Sequence, residues 1–189
     1  MMNLTNKNRF LASSLGLAIT LFGVNVTGAI AQNFSIRNIA SQISQKATIP
    51  ILLPSKKVVE QNKFDPTETI YSNLGSSSNN SYNLTFNNRS DNVGNAAFRF
   101  SISASRGQDF ERQPPHSNPQ YAAKYSQVRL LDNSNALVTS WCGGTACWST
   151  VQWKSNGILY KVASKRRQPD AALAIANSAI KEGDRRVKN

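Results

Sequence analysis

Residues 138–162, VTSWCGGTACWSTVQWKSNGILYKV, carry the clearest fold signal of the chain. It contains both cysteines and all three tryptophans of the chain. Two turn signals divide it, the pair Gly143-Gly144 and the dipeptide Asn156-Gly157, which is typical of two-residue hairpin turns. The stretch therefore predicts a meander of three antiparallel strands. These strands are expected at residues 136–142, 147–153 and 158–163.

The two cysteines, Cys142 and Cys147, are predicted to form a structural disulfide. In an exported chain they reach an oxidising compartment, and directly opposed hairpin positions lie close enough for a bridge. Two cysteines without a nearby histidine do not make a four-ligand zinc site, and the four residues between them differ from the C-x-x-C redox spacing. The neighbouring Trp141 and Trp148 are expected to pack over the disulfide. The alternative is that they form a stacking surface for sugar or wall glycan.

Export is predicted from residues 1–31. Lys7 and Arg9 precede an uncharged apolar run at residues 10–26, and Ala29-Ile30-Ala31 matches the small-residue pattern of a cleavage site. We expect a signal peptide cleaved before Gln32 and a secreted or periplasmic protein. The alternative is an uncleaved membrane anchor, for which an apolar run of about 17 residues is short.

The net charge of the chain favours some classes of binding partner over others. The chain carries a net charge of +12, and the predicted signal peptide holds two of the positive and none of the negative residues, so the remainder carries +10. This balance favours an anionic wall polymer, a polysaccharide or a lipid surface as partner, although it also serves solubility alone. Nucleic acid is not expected, because the chain is exported and aromatic residues are not interleaved with these charges.

The positive residues cluster on both sides of a predicted C-terminal helix. We interpret them as a candidate anionic-surface patch, with a solvated helix flank and tail as the alternative. The patch residues are Lys165, Arg166, Arg167, Lys181, Arg185, Arg186 and Lys188.

Alternation of apolar and polar residues from residue 67 onwards predicts further strands. The clearest case is residues 96–105, where Phe98, Phe100, Ile102 and Ala104 are expected to point inward. Residues 75–80 (GSSSNN) are expected to form a turn. Pro169 and Asp170 suit the first turn of the C-terminal helix. Its expected apolar stripe contains Leu173, Ala176, Ala179 and Ile180.

The predicted fold class is α+β, an antiparallel sheet of six or seven strands with a C-terminal helix packed on one face. The alternative is a β-sandwich. After the signal peptide we expect an N-terminal arm or short helix plus an extended segment at residues 32–66. A single α+β domain at 67–182 and a basic tail at 183–189 follow.

No catalytic constellation is recognised, and neither a metal nor another cofactor is expected. The one histidine, His116, lies in a proline-rich loop at residues 106–120 without a nucleophile motif. A glycosidase needs two carboxyl groups that are held apart across a sugar-binding cleft. Asp109 and Glu111 are neighbours in the same loop and do not meet this requirement. We expect them to form a local charge cluster with Arg106 and Arg112.

Four blocks of sequence carry a resemblance to known proteins. They are residues 49–55 (IPILLPS), 142–147 (CGGTAC), 153–160 (WKSNGILY) and 175–180 (IANSAI). Together they resemble small exported bacterial proteins, mainly cyanobacterial, of unassigned function. The Trp153-x-x-x-Gly157-x-x-Tyr160 hairpin followed by a helix is more distantly similar to envelope domains of the sigma-factor-regulator and lipoprotein-carrier kind. That resemblance implies a curved antiparallel sheet with helices on one face, and it implies no catalytic residue.

The sequence therefore predicts an exported, non-enzymatic protein of the envelope or extracellular matrix that binds an anionic surface or a polysaccharide. One alternative is a carrier that holds an apolar ligand between sheet and helix. The other is a hydrolase that uses the loop at residues 106–120.

Overall fold

The computed structural model describes residues 32–33, 35–91, 94–112, 121–143, 146–167 and 169–186. The predicted signal peptide and cleavage site at residues 1–31 and His116 lie outside the described residues. The helices are α1 (Ile36–Ser44), α2 (Lys56–Gln61), α3 (Gly94–Ala97) and α4 (Asp170–Glu182). The strands are β1 (Gln32–Asn33), β2 (Tyr71–Ser78), β3 (Ser81–Asn87), β4 (Phe98–Arg106), β5 (Lys124–Arg129), β6 (Asn135–Gly143), β7 (Ala146–Ser155) and β8 (Ile158–Ser164).

All eight strands form one antiparallel sheet in the order β1-β2-β3-β4-β8-β7-β6-β5. Strand β1 has only two residues, so seven strands of six residues or more make up most of the sheet. Two meanders, β2-β3-β4 and β5-β6-β7-β8, join where β4 pairs with β8 from Phe100 opposite Ser164 to Arg106 opposite Ile158. The predicted α+β class with a C-terminal helix is confirmed, and the described strands form a single sheet, which is not the alternative β-sandwich.

The inner face of the sheet forms the hydrophobic core, because alternate residues of each strand are apolar. Leu84 and Ile102 lie opposite each other on β3 and β4, and neither is exposed to solvent. Trp153 and Tyr160 stack across β7 and β8 with ring centroids 5.3 Å apart. Helix α4 covers these strands with small residues, which lets its backbone approach the sheet. Its buried residues are Ala171, Ala172, Ile175, Ala176, Ser178 and Ala179.

The segment before β2 packs into the same core. The side chain of Ser35 caps α1 by accepting a hydrogen bond from the backbone N–H of Asn38 at 3.5 Å, and Ile43 of that helix is fully buried. An extended stretch follows, with Ile49, Ile51 and Leu53 fully buried. Helix α2, which the sequence did not indicate, follows it and contributes the buried Val59. Residues predicted as an N-terminal arm or short helix are therefore part of the packed core.

The predicted turn at residues 75–80 is wrong over its first four residues. Strand β2 continues to Ser78, and the register with β3 shifts between Leu74 and Ser76. Gly75 lies at this bulge, which absorbs one residue while pairing continues. Asn79 and Asn80 alone form the turn.

Phe98 also departs from its predicted inward position. The register of β3 and β4 shifts between Phe86 and Asn87, so Phe98 lies opposite Asn87 on the outer face. Its ring contacts Trp148 with a centroid distance of 5.3 Å. A bulge reverses the face on which subsequent side chains lie, and simple alternation does not reveal it.

The end of the chain pairs with the extended stretch near its beginning. Asp184 bridges Leu52, and its carboxylate accepts a hydrogen bond from the backbone N–H of Ile51 at 3.0 Å. The backbone N–H of Arg185 donates to Ile51 O at 2.9 Å, and the guanidinium of Arg186 donates to Thr48 O at 2.9 Å. The described part of the predicted basic tail is therefore paired with backbone. Across the described ranges, no helix has the length and apolar character to cross a membrane.

Candidate functional site

The outer face of the sheet, opposite the helices, carries an ordered set of short polar side chains on β2, β3 and β4. We call this set the hydroxyl grid, and its nine members are half-buried or exposed. None is charged, although the protein has a net charge of +12. Its three rows are Asn73, Thr85 and Ser101, then Ser76, Asn83 and Ser103, then Ser78, Ser81 and Ser105.

Strand register creates the grid. Each central residue on β3 lies opposite one grid residue on β2 and one on β4. Asn73 and Ser76 are three residues apart and would lie on opposite faces of a regular strand. The extra residue of the bulge at Gly75 places both on the outer face. Neighbouring strands are ~4.8 Å apart and same-face residues ~6.7 Å apart, so the grid covers roughly 10 by 13 Å.

Many polar atoms of the grid are available to a ligand. The hydroxyls of Ser78 and Ser81 bond to each other at 2.8 Å, and Thr85 donates to Asn73 O at 3.3 Å. On β4, by contrast, the three grid serines have no side-chain hydrogen bond to any described residue. A hydroxyl can both donate and accept, so this face can match a ligand that also offers both functions.

Aromatic side chains border the first row of the grid. Phe98 is the neighbour of Ser101 on the outer face, toward the start of β4. Its ring contacts that of Trp148. Trp141 lies directly opposite Trp148 in the register of β6 and β7, and both are half-buried. Flat apolar rings therefore lie beside neutral hydroxyl and amide groups.

The predicted disulfide is present between Cys142 and Cys147, which lie directly opposite each other on β6 and β7. The expectation that Trp141 and Trp148 pack over it is wrong. Adjacent residues of a strand point to opposite faces, so the tryptophans project from the face away from the bridge. The disulfide holds the register of the two strands that carry them.

A segment after β4, residues 108–112, lies against the outer face of β7 and β8, and we call it the acidic segment. Asp109 forms an ion pair with Lys154 at 2.5 Å, and Glu111 pairs with Lys161. The buried side-chain amide of Gln152 accepts from the backbone N–H of Glu111 and donates to its carbonyl, both at 2.8 Å. The hydrogen bond and the charge of Lys154 lower the pKa of Asp109.

These contacts correct the expected charge cluster with Arg106 and Arg112. The partners of the two carboxylates are lysines far away in the sequence, and the guanidinium of Arg112 instead lies 5.6 Å from the ring centre of Tyr125. Neighbouring positions in the chain gave the wrong partners because the segment crosses to other strands.

The residues of the candidate anionic-surface patch fall into two groups. Helix α4, with 13 residues, separates Lys165, Arg166 and Arg167 from the second group by about 20 Å. Arg166 donates to the carbonyl of Lys63 at 2.6 Å and stacks on Phe64. Nothing in these contacts tests anion binding, which stays a prediction, and Lys188 lies outside the described residues.

The second group lies at the end of α4 and includes Lys181, which is exposed. Arg185 pairs with Glu182 at 2.7 Å, and Arg186 pairs with Asp184 at 2.6 Å. Their positive charges are thus partly balanced by neighbouring carboxylates.

A groove of about 550 Å³ adjoins the grid at Ser78. It lies between the turn at Asn79-Asn80 and the end of α1, where Gln45 and Lys46 line it. Amide and hydroxyl groups dominate its lining, so it extends the polar surface of the grid.

The hydroxyl grid is the feature that sequence reasoning missed. A signal was present in SISAS, residues 101–105, where serine alternates with apolar residues.

Comparisons with family models, with curated proteins and with solved structures find no match for this chain, so the resemblance of the four sequence blocks stays a prediction.

Proposed function

We propose that this protein is an exported, non-enzymatic protein that binds a polysaccharide on the outer face of its sheet. The observation that carries the proposal is the hydroxyl grid, an uncharged surface with three rows of hydroxyl and amide groups in a strongly basic protein. Sugars offer hydroxyls that both donate and accept, which is the same chemistry. The disulfide is compatible with an extracellular location.

The aromatic border supports the same ligand class. The faces of Trp and Phe rings carry partial negative charge and pack against apolar C–H groups, which a sugar ring presents on its flat side. Phe98 lies beside the first row of the grid, and Trp148 contacts Phe98. A polysaccharide chain could therefore stack on the rings while its hydroxyls contact the grid.

The two alternatives find less support. A hydrolase of the loop at residues 106–120 would use His116 with Asp109 or Glu111. Both carboxylates are paired with lysines, and His116 lies outside the described residues. A carrier of apolar ligands would need space between sheet and helix, where Ile102, Val162 and Ala176 are fully buried against their neighbours.

The test is binding to a panel of soluble polysaccharides, which includes dextran, xyloglucan, polygalacturonate and its fully methyl-esterified form, by affinity electrophoresis and tryptophan fluorescence. We expect at least one polymer to bind. Ser103→Asp places a charge in the middle row and should weaken binding about tenfold, the effect of one lost hydrogen bond plus desolvation.

Ser126→Asp is the matched control, because Ser126 is an exposed strand residue on β5, away from the grid. It should leave binding unchanged. If no polymer of the panel binds, or if both aspartate variants weaken binding equally, the proposal is wrong.

A further inference from the structure

Two lysines lie next to the hydroxyl grid, on the side where β8 and β7 follow β4. In the sheet register, Lys161 of β8 lies directly opposite Ser103. Leu159 lies opposite Ser105, and Lys154 of β7 lies opposite Leu159. The lysines are therefore one and two strands from the grid, roughly 5 and 10 Å away. A ligand that spans the grid toward β7 would meet both positive charges.

Carboxylates occupy these lysines in the structure. The side chain of Asp109 is 95% exposed and that of Glu111 is 61% exposed. Exposed ion pairs contribute little to stability, because water and salt screen them. The lysine side chains are 41% and 26% exposed, so we expect loss of either ion pair to have only a small effect on stability.

The acidic segment is held by other contacts during such an exchange. Gln152 is 1% exposed, and its two hydrogen bonds go to the backbone of Glu111, not to the carboxylate. The Glu111 side chain can rotate away while its backbone stays bound. The segment is therefore a tethered pair of carboxylates next to the hydroxyl grid.

We propose that the polysaccharide is a carboxylated one, and that its carboxylates replace Asp109 and Glu111 on Lys154 and Lys161. This inference rests on the proposed function and names its ligand class. Lys154 and Lys161 already bind two carboxylates of the protein itself, so carboxylates of a ligand can bind at the same positions. The acidic segment then acts as an internal competitor that weakens binding to polymers with few carboxylates.

The experiment compares polygalacturonate with its fully methyl-esterified form, in which the same backbone has lost its charge. Asp109→Asn with Glu111→Gln should raise affinity for polygalacturonate roughly fivefold or more, and affinity for the ester by less than twofold. Lys154→Gln with Lys161→Gln should reduce affinity for polygalacturonate to that for the ester. Circular dichroism and melting curves check that both double variants fold.

The control is Asp91→Asn with Glu60→Gln, which changes the net charge by the same amount at two ion pairs elsewhere, with Arg89 and Lys63. An equal gain of polygalacturonate affinity in this control would overturn the inference. It would also be overturned, with the proposed function intact, if neutral polymers bind but the Asp109 and Glu111 variant gains no affinity for polygalacturonate. If no polymer binds to any variant, both are wrong.

Discussion

The two faces of strand β4 have opposite compositions although they share one backbone. The inner face contributes Phe100, Ile102 and Ala104, all 3% exposed or less. The outer face contributes the three serines of the hydroxyl grid, which remain partly exposed. Burial is therefore concentrated on one face of β4, whereas the polar groups of the other face remain in contact with solvent. Substitutions on the two faces should consequently have different effects.

The largest contrast is expected between two tryptophans of β7. Trp153 lies on the inner face and is fully buried, whereas Trp148 lies on the outer face and is half-buried. Trp153→Ala should lower the free energy of unfolding by about 3–5 kcal/mol, because it leaves a cavity in the core. Trp148→Ala should cost about half of that or less, since less area is buried. Urea denaturation followed by circular dichroism measures both, and equal losses would contradict the separation of the faces.

Loss of the disulfide should have a smaller effect. Cys142 and Cys147 enclose a short loop, so the bridge is worth only about 2 kcal/mol in the chain-entropy model. Reduction should lower the melting temperature by roughly 4–8 °C without unfolding the protein. Calorimetry with and without reductant tests this, with the Cys142→Ala and Cys147→Ala double variant as a control that reductant should not affect. An unchanged melting temperature would exclude a stabilising role.

The next effect comes from the pairing of the chain end with residues 48–53. Burial alone would raise the pKa of the Asp184 carboxyl, but hydrogen bonds from Arg186 and from the Ile51 backbone outweigh it and lower the pKa below its ordinary value of 3.8. Because the pKa of Asp184 is lower in the folded state than in the unfolded state, its ionised carboxylate stabilises the fold at pH values above the unfolded-state pKa. This contribution is lost as the pH falls through the folded-state pKa.

Asp184→Asn keeps an acceptor for the Ile51 N–H but cannot titrate. We expect the difference in unfolding free energy between wild type and this variant to be largest near neutral pH and to shrink below pH 4. Chemical denaturation at several pH values measures it. A difference that stays constant between neutral pH and the acid range would show that the charge of Asp184 does not stabilise the fold.

Sequence patterns predicted those features of the fold that depend on residues close together in the chain. Alternation identified Phe100, Ile102 and Ala104 as the inner face of β4, and hairpin geometry identified the bond between Cys142 and Cys147. Alternation failed at Phe98, because a bulge changes the face without changing the composition. The partners of Asp109 and Asp184 were out of reach, because they lie 45 and 133 residues away in the sequence.

The hydroxyl grid was missed for a related reason. Serine, threonine and asparagine are common in loops and turns, so a single one indicates nothing. Only the register of three strands shows that nine such residues form rows. That register depends on a bulge at Gly75, whose position follows from pairing with β3 and not from the β2 sequence.

The smallest effect on stability is expected at Ser103, in the middle row of the grid. Ser103→Val exchanges a hydroxyl for a β-branched side chain, which strands favour. The free energy of unfolding should therefore change by no more than about 0.5 kcal/mol. Binding of a polysaccharide should nevertheless fall several-fold, because the hydroxyl is lost. Urea denaturation and affinity electrophoresis on the same sample measure both quantities. If the two properties change together at Ser103, the outer face contributes to the fold and the two faces do not have separate roles.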